Sequence, residues 1–505
     1  MKEPPRFLSV GDRQALTPVH VVWEITLACD LKCQHCGSRA GKRRPRELST
    51  AECMDLVRQM ARLGTRAVTL IGGEAYLRRD WVEIVREITD QGMYCTMQTG
   101  GLHLTEDRVR QASDAGLQGV GVSVDGLRAV HDRVRGVKGS FDAALKALRL
   151  ISNRGMSASA TTQITSLVIP QLRPLMNRLI AVGVTNWQVQ LTVAMGRAAD
   201  HPELLLQPYE LSVLMPLLAE LFEEGVERGL LLQPGNNIGY FGPYESLWRG
   251  NGDERIYWAS CNAGQNTMGI EADGTIKGCP SLPTTQYAGG NIRDLSLEDI
   301  WRQTPELNFT RSSREDTLWG FCRTCYYAEV CQAGCTWTSH SLLGRPGNNP
   351  YCHHRVLELA RQGMRERIEP AERAPGSPFD HGRFELVRET LDGSRRAPEE
   401  PTAYERNAAL LPLVQITSAR APAPPRGVST PSRRSRPIPR MQRLILCRGC
   451  NRHVKAATPV CPHCGGDIKA LAVTYGKRLL AARQTFRRLL RALGDTAEID
   501  PPGAR

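Results

Sequence analysis

Three cysteines, Cys29, Cys33 and Cys36, lie within eight residues in the segment CDLKCQHC. Cysteine thiolates hold iron–sulfur clusters, and a cluster of four irons usually takes four of them. Three thiolates leave one iron without a protein ligand, and that iron could bind another molecule directly, as the open position of a catalytic zinc does. A zinc site completed by His35 and a chance group of reduced thiols are the alternatives at this point.

The other cysteines are also grouped, apart from Cys53 and Cys95. Seven of the 16 lie between residues 256 and 355, and four lie between residues 447 and 464. The chain starts without the apolar segment of a secretory signal, and no run of 18 apolar residues predicts a membrane span. We therefore expect a cytoplasmic protein, whose grouped cysteines bind metals or act in catalysis rather than form disulfides.

Short apolar runs rich in β-formers alternate with helical patterns from Val19 to about residue 200. Six such units predict a parallel sheet with right-handed crossovers, which either closes as a partial barrel or stays open. The helices are predicted to end at glycines that favour a left-handed cap. These glycines are Gly64, Gly92, Gly116, Gly155 and Gly183.

Polar residues follow the predicted strands, at the edge where α/β enzymes place their chemistry. The cysteine segment follows the first strand, and the segments GGE, QTGG and SVDG follow the next three. Each polar side chain alone is more typical of a turn or cap, but together they predict one site at the mouth of the sheet. The fifth and sixth strands contribute Gln163 and Gln190.

These motifs resemble the radical SAM superfamily over about residues 18–200. The motif of that superfamily is C-x3-C-x2-C, with an aromatic residue or a histidine before the third cysteine, and His35 takes that place. The resemblance implies that Cys29, Cys33 and Cys36 hold a catalytic [4Fe–4S] cluster whose fourth iron is chelated by S-adenosyl-L-methionine. One electron would then cleave this cofactor to a 5′-deoxyadenosyl radical that abstracts a substrate hydrogen.

The resemblance also implies the contacts of the cofactor. The segment GGE corresponds to the glycine-rich segment that meets the methionine amino group, where glycine lets the backbone approach a ligand closely. Ser123 and Arg135 are candidates for the methionine carboxylate, whereas QTGG departs from the more usual Thr-Asn-Gly. The expected cofactor-binding residues are His35, Gly72, Gly73, Glu74, Thr99, Ser123, Asp125, Arg135, Gln163 and Gln190.

The second cysteine group resembles the SPASM extension of radical SAM enzymes. The segment MGIEADGTIKGC within it predicts a β-hairpin with a turn at ADGT. The resemblance implies two auxiliary [4Fe–4S] clusters, of which the first has only three cysteines and therefore an open iron or a ligand other than cysteine. The implied ligands are Cys261, Cys279 and Cys335 for the first cluster, and Cys322, Cys325, Cys331 and Cys352 for the second.

SPASM enzymes mostly modify peptides or proteins. Within that group, sulfatase maturases have an aspartate directly after the cysteine aligned with Cys279. Pro280 takes that place here, which argues against sulfatase maturation. The layout looks most like the radical SAM group associated with peptides that bear a Y-X(10)-GDL motif, which implies a ribosomally made peptide or protein substrate. We also expect an electron donor such as a flavodoxin or ferredoxin. About 17 residues precede the first strand, too few for a leader-binding domain, so a separate leader-binding protein is expected. The alternatives are a small-molecule cofactor-biosynthesis enzyme and a nucleic-acid-binding or nucleic-acid-modifying protein.

The last cysteine group predicts a zinc ribbon. Two CxxC pairs separated by ten residues form a tetrahedral S4 site, for which Zn²⁺ is favoured and a rubredoxin-like iron is the alternative. A basic amphipathic helix follows, and docking onto this protein or a partner is its default role. Membrane-surface or nucleic-acid contact is less favoured. The four cysteines are Cys447, Cys450, Cys461 and Cys464.

The fold class predicted is α/β: a partial (β/α)6 radical SAM barrel with a cysteine-rich α+β SPASM extension and a small C-terminal zinc ribbon. The net charge is +13, and the stretch from Ser418 to Arg440 is rich in proline and arginine and lacks acidic residues, which indicates an extended spacer. The predicted domains are the core at 18–200, a helical connector at 201–255, the SPASM domain at 256–356, a partly disordered linker at 357–442, the zinc ribbon at 443–470 and the basic helix at 471–495.

Overall fold

The computed structural model describes residues 5–250, 253–311, 315–394 and 443–492. The chain divides into two compact units. The first unit consists of Met1–Tyr240 with Trp258–Arg433, and the second consists of Phe241–Tyr257 with Arg434–Arg505. The second unit therefore joins two segments that are far apart in the sequence.

A single sheet of ten strands forms the centre of the first unit. Its order is β10-β9-β8-β1-β2-β3-β4-β5-β6-β7, and all neighbours from β8 through β1 to β7 are parallel. The order is linear, so β10 and β7 are edge strands. The strands are β1 His20–Glu24, β2 Ala67–Ile71, β3 Tyr94–Thr99, β4 Gly119–Ser123, β5 Ser157–Ile164, β6 Asn186–Leu191, β7 Leu231–Pro234, β8 Thr267–Ile270, β9 Thr275–Lys277 and β10 Ala288–Asn291.

Helices follow the strands as the sequence predicts, and several of them end beside a glycine in the left-handed region. Ser49 and Glu52 form a capping box at the first helix after β1, and Gly64 ends that helix with φ of 87°. The helices of the first unit up to β7 are α1 Val10–Ala15, α2 Thr50–Arg62, α3 Trp81–Asp90, α4 Glu106–Asp114, α5 Arg128–Arg135, α6 Ser140–Asn153, α7 Leu172–Ala181, α8 Arg197–Asp200 and α9 Leu211–Glu227.

The cysteine-rich region that follows consists mainly of short helices and the β8–β10 strands. The predicted hairpin is present, because β8 and β9 pair antiparallel around the ADGT turn. The helices are α10 Glu245–Gly250 in the second unit, then α11 Thr284–Tyr287, α12 Leu297–Gln303, α13 Ala328–Cys331, α14 Thr336–Leu343 and α15 His353–Arg361 in the first unit.

The sheet is wider than the six predicted strands. β7 pairs with β6 and lies in the range that the sequence analysis assigned to a helical connector, while β8 pairs with β1 on the other side. The edge strands of a six-stranded sheet have unpaired N–H and C=O groups, and a further strand can pair with them in either the parallel or the antiparallel direction. Two of the predicted domain boundaries therefore fall within a continuous sheet.

An antiparallel hairpin occupies part of the predicted linker. Its strands are β11 Met364–Glu372 and β12 Arg383–Thr390, and they follow α15. The sequence analysis missed it because the inward face of β11 carries the carboxylate of Glu366 between Met364 and Ile368, which breaks the apolar alternation. Residues 395–442 of the predicted linker lie outside the described residues.

One segment, Pro202–Glu227, is long and apolar enough to cross a membrane by length and composition, which the sequence analysis did not expect. Its most apolar 18-residue stretch is 56% buried within the protein. Core helices of soluble proteins have the same length and composition, so the segment is weak evidence for a membrane span.

The second unit contains a small antiparallel ladder and a long helix. β13 Leu444–Leu446 pairs with β14 His453–Lys455, and α16 spans Ile468–Ala492. The side chain of Arg448 forms an ion pair with Glu254, and the imidazole Nε2 of His453 lies 2.9 Å from the backbone oxygen of the same Glu254. The ribbon thus packs on the Phe241–Tyr257 segment.

The hairpin depends on a buried ion pair, so Glu366→Ala should destabilise the protein. Arg355 donates Nε and Nη2 to the Glu366 carboxylate at 2.6 and 2.9 Å, and both residues are almost completely buried. Removing the carboxylate leaves the guanidinium charge buried without it, which costs about 3–5 kcal/mol. Urea unfolding should show this loss in the free energy of unfolding. The exposed Glu385 on β12 is the control, and an equally small effect of Glu366→Ala and Glu385→Ala would contradict the role of the pair.

Candidate functional site

The loop that carries Cys29, Cys33 and Cys36 follows β1 and is held by the end of α5. The backbone N–H of Lys32 donates to the oxygen of Arg135 at 3.1 Å, and that of Gln34 donates to Val134 at 2.8 Å. These bonds fix the loop against the carboxyl edge of the sheet. Their acceptors are two of the last carbonyls of α5, which have no partner within the helix.

Each of the three sulfurs accepts a hydrogen bond. Leu31 N donates to Cys29 Sγ and Ala40 N donates to Cys36 Sγ, both at 3.4 Å, and Arg135 Nη1 lies 3.6 Å from Cys33 Sγ. Burial raises the pKa of Cys33 to about 11, so the metal-free thiol is neutral. Metal binding deprotonates cysteine, and donors at the sulfur favour the thiolate form. The three thiols therefore suit a cluster that provides the compensating charge.

The glycines of the GGE segment lie directly against the start of the cysteine loop. A Cβ added to Gly73 would lie 2.1 Å from the oxygen of Ala28 and 2.7 Å from Cys29 Cβ, and one added to Gly72 would lie 2.4 Å from the oxygen of Thr26. No side chain fits at either position. The glycines thus let β2 bring Glu74 next to Cys29.

Glu74 is buried, and its carboxylate accepts hydrogen bonds from Thr99 Oγ1 and, at 2.6 Å, from Gly100 N. Burial raises the pKa of Glu74 to about 7, although both hydrogen bonds act in the opposite direction. A cationic ligand group nearby would favour the ionised form. The environment of Glu74 therefore suits a bound ammonium group.

Asp125 connects the cysteine loop to the sheet. Its Oδ2 lies 2.7 Å from His35 Nε2 and 2.6 Å from Arg135 Nη2, and its Oδ1 accepts from Gln163 N at 2.8 Å. Burial acts to raise the pKa of Asp125, but the charge of Arg135 and the contact with His35 hold it well below its usual range. Asp125 is therefore ionised and orients both partners.

A cavity of about 190 Å³ collects most of the predicted site. The three cysteines line it, as do most of the residues expected to bind the cofactor. Arg135 Nε is buried and has no hydrogen-bond partner among the described residues, which leaves a donor for a bound anionic group. The predicted lining residues that the cavity contains are His35, Gly72, Gly73, Glu74, Thr99, Ser123, Arg135 and Gln163.

Two of the predicted cofactor-binding residues do not line this cavity. Asp125 acts through His35 and Arg135, and Gln190 lies on β6 beside Gln163 without being part of the lining. Gln98 and Leu31 line it although they were not predicted. The position of Gln98 at the end of β3 could have predicted its place in the lining. Nothing in the sequence distinguishes Leu31, because it is an ordinary apolar residue of the loop.

The auxiliary cysteines fall into two neighbourhoods. Burial, together with the nearby thiols of Cys261 and Cys335, raises the pKa of Cys279 to about 12, so the three thiols interact with one another. Cys261 and Cys279 pack against a small apolar group that contains Leu282 and Tyr287. That these three cysteines form the incomplete first ligand set stays a prediction.

The second neighbourhood surrounds Cys322 and Cys325. Burial raises the pKa of Cys325 to about 12, with a further contribution from Cys322, and the pKa of Cys352 is raised by burial and by both of these thiols. Cys331 is buried in α13, and its backbone oxygen accepts from Trp258 Nε1 at 3.3 Å. That these cysteines ligate clusters stays a prediction.

The four cysteines of the ribbon have the spacing of a metal tetrahedron. Their sulfurs all lie within 4.8 Å of one another, with Cys447–Cys464 and Cys450–Cys461 both at 3.7 Å. A tetrahedral zinc with Zn–S bonds of about 2.3 Å separates its sulfurs by roughly 3.8 Å. The residues therefore fit Zn²⁺ without rearrangement.

Comparison with known proteins defines the class. Residues 23–172 match the radical SAM superfamily, and residues 261–326 match the SPASM iron–sulfur cluster-binding domain. The chain therefore contains a radical SAM domain and a SPASM domain, as the motifs predicted, and these domains imply S-adenosyl-L-methionine and [4Fe–4S] clusters as cofactors. The residues that bind each group remain as proposed here.

Two kinds of curated relative share most of the chain. Mycofactocin maturase MftC of Mycolicibacterium smegmatis is 29% identical over 358 residues, which are 69% of this chain and 86% of the relative. The AdoMet-dependent heme synthase of Oleidesulfovibrio alaskensis is 27% identical, over 66% of this chain and 86% of the relative. Structures of Streptococcus suis SuiB share the fold, with 19% identity and a TM-score of 0.52 over 66% of this chain and 76% of SuiB for the form bound to S-adenosylmethionine.

Gly73→Ala should prevent assembly of the cluster at Cys29, Cys33 and Cys36, because the added methyl group collides with the backbone of Ala28. Iron in the anaerobically reconstituted protein should fall by about four per chain. Gly41→Ala, in the cysteine loop, is the control, since a Cβ at Gly41 would have nothing within 4 Å. Full iron content in Gly73→Ala would show that the close approach is not required.

The ribbon should contain one zinc per chain and lose it in Cys450→Ala, because three sulfurs no longer close the site. Elemental analysis measures the zinc, and protease digestion should then cleave the ribbon, since such short domains need the metal to fold. Cys95→Ala removes a buried cysteine outside every group and should retain the zinc. Iron in place of zinc in protein isolated from cells would overturn the assignment of the metal.

Proposed function

We propose that this radical SAM enzyme modifies a ribosomally made peptide or protein. The observation that carries the proposal is the cavity in which three cysteines face Glu74 and Arg135 at the carboxyl edge of the sheet. When bound there, the cluster and S-adenosyl-L-methionine supply a 5′-deoxyadenosyl radical that abstracts a hydrogen atom from the substrate.

The residues of the cavity have separate roles in this proposal. Glu74, with the backbone of the two glycines before it, binds the methionine ammonium group. Ser123 and the free Nε of Arg135 bind the methionine carboxylate, and Arg135 also donates to Cys33 Sγ. Asp125 positions Arg135 and His35 for these contacts. Together these groups hold the ligand in one orientation, which a reactive radical requires.

The peptide substrate is supported by the relatives. MftC is a mycofactocin maturase, and SuiB has been solved bound to its precursor peptide SuiA, with 18% identity and a TM-score of 0.51. The two groups of SPASM cysteines would hold auxiliary clusters, which can accept the electron left when a substrate radical is oxidised. We further propose a cytoplasmic location, a flavodoxin or ferredoxin as electron donor and a separate leader-binding protein.

A small-molecule substrate is the second candidate. AdoMet-dependent heme synthases match the chain at nearly the same identity as MftC, and they are named for the synthesis of a small molecule. A gene for a short peptide beside the gene of this protein favours peptide modification, and its absence favours the small-molecule substrate.

The reconstituted and reduced protein should cleave S-adenosyl-L-methionine to 5′-deoxyadenosine. Cys33→Ala should abolish cleavage, because two thiolates do not hold the cluster, whereas Cys53→Ala should retain it because Cys53 is a buried residue of α2. Chromatography of 5′-deoxyadenosine measures both. Absence of cleavage by a fully iron-loaded wild-type preparation would sink the proposal.

Peptide modification is tested separately. The peptide encoded beside the enzyme gene, incubated with the enzyme, reductant and any encoded leader-binding protein, should change in mass, and the change should require Cys33. An unchanged peptide alongside a modified tetrapyrrole would favour the second candidate.

A further inference from the structure

Tyr240 contacts one cysteine of each auxiliary group, Cys335 and Cys352. It follows β7 in the segment GNNIGY, and its side chain is 1% exposed. Its φ is 81°, in the left-handed region that residues with a side chain rarely adopt. A buried aromatic residue with this backbone must be held in place by its contacts, and these contacts are with the cysteine-bearing segments.

The hydroxyl of Tyr240 contacts the first cysteine group. Cys335 N donates to Tyr240 Oη at 3.0 Å, and Tyr240 Oη donates to the backbone oxygen of Asn236 at 2.5 Å. The hydroxyl therefore accepts a hydrogen bond from the backbone of Cys335 and donates one to the backbone of Asn236. These two bonds hold the two backbone groups on either side of one hydroxyl. The backbone of Cys335 is thereby tied to the loop after β7.

The backbone of Tyr240 contacts the second cysteine group. Its oxygen accepts from His354 N at 3.2 Å and lies 3.9 Å from Cys352 Sγ, and Gly239 O accepts from His353 N at 3.0 Å. These donors are at the start of α15, where N–H groups have no partner within the helix. Tyr240 therefore also fixes the helix start that follows Cys352.

The ring of Tyr240 packs between the same segments. It contacts the Trp258 ring edge-to-face at 5.1 Å, and Trp258 Nε1 donates to Cys331 O. On another side it lies against Gly334, where an added Cβ would approach ring atoms to 2.7 Å. Ring, hydroxyl and backbone of one residue thus contact Cys331, Gly334, Cys335 and Cys352 or their immediate partners.

We propose that Tyr240 is a positioning residue that sets both auxiliary sites relative to one another, its hydroxyl fixing the Cys335 ligand of the first and its backbone oxygen facing the Cys352 ligand of the second. This inference rests on one part of the proposed function, namely that these cysteines hold auxiliary clusters. Hydrogen bonding around cysteine ligands tunes the reduction potential of an iron–sulfur cluster. Tyr240 thereby holds the two sites in a fixed geometry, and the reduction potential of the first cluster depends on the Tyr240 hydroxyl.

Tyr240→Phe tests the role of the hydroxyl, because the ring, the Trp258 contact and the backbone remain. Cys33→Ala and Cys36→Ala are combined with it so that EPR spectroscopy reports only the auxiliary clusters. We expect the midpoint potential of one auxiliary signal to shift while the other stays, and the shifted cluster to lose iron at a roughly 10-fold or more lower chelator concentration.

Tyr351→Phe is the matched control. Tyr351 is a buried tyrosine next to Cys352, and its hydroxyl donates to the backbone oxygen of Leu206 at 2.5 Å, as that of Tyr240 does to Asn236. The Tyr351→Phe variant should lose about as much free energy of unfolding as Tyr240→Phe, while the EPR signals of both auxiliary clusters stay unchanged. Equal potentials and iron retention in Tyr240→Phe and Tyr351→Phe would overturn the proposal.

Gly334→Ala tests the position of the ring without changing Tyr240. The added methyl group would displace the ring, so both auxiliary signals should change, in contrast to the single change in Tyr240→Phe. If both auxiliary signals of Gly334→Ala are the same as in the wild-type protein, the proposal is contradicted. If wild-type protein assembles no auxiliary clusters, the proposed cofactor set fails instead, and the two failures are distinguishable.

Discussion

The buried carboxylate of Asp125 imposes the constraint on which the catalytic cavity depends. A charge without access to water must be compensated by its neighbours, since an uncompensated buried charge costs several kcal/mol. Here the compensation comes from the cysteine loop through His35, from the end of α5 through Arg135 and from β5 through the backbone of Gln163. Because Arg135 also contacts the sulfur of Cys33, satisfying one carboxylate fixes a cysteine relative to the sheet. The loop is irregular, and this network with the bonds to α5 gives it a defined shape.

The metal-binding regions place different physical demands on the chain. The ribbon closes its site with four sulfurs at tetrahedral spacing, which suits a structural ion with no open position. The catalytic loop provides three sulfurs and leaves the remaining side of the cavity to polar groups such as Glu74 and Arg135. The SPASM region would lie between these cases, because the resemblance implies one set of three cysteines and another of four. The number of thiols therefore indicates where a ligand from outside the protein can enter.

The sequence was sufficient for the six central strands and for most of the cavity lining, but not for the later strands or for every lining residue. Alternating strands and helices predicted the parallel sheet, and position at strand ends predicted Glu74, Ser123 and Gln163, because the carboxyl ends of parallel strands share one edge. β7 was missed since its four residues are too short to show a period. The β11–β12 hairpin was missed because Glu366 occupies an inward position that only a distant arginine can compensate. Gln190 was predicted by the same rule as Gln163, but the rule gives the edge of the sheet and not the direction of the side chain.

The second unit has a consequence for the order in which the protein folds. Glu254 and its partner Arg448 are 194 residues apart in the sequence, so the Phe241–Tyr257 segment leaves the ribosome long before the ribbon exists. At about 5–20 residues per second the interval is roughly 10–40 s. During this time Glu254 lacks the partner that Arg448 provides in the folded protein. The second unit is thus complete only after the ribbon has been made, and because so short a domain needs its metal to fold, zinc supply during synthesis would set when that unit forms.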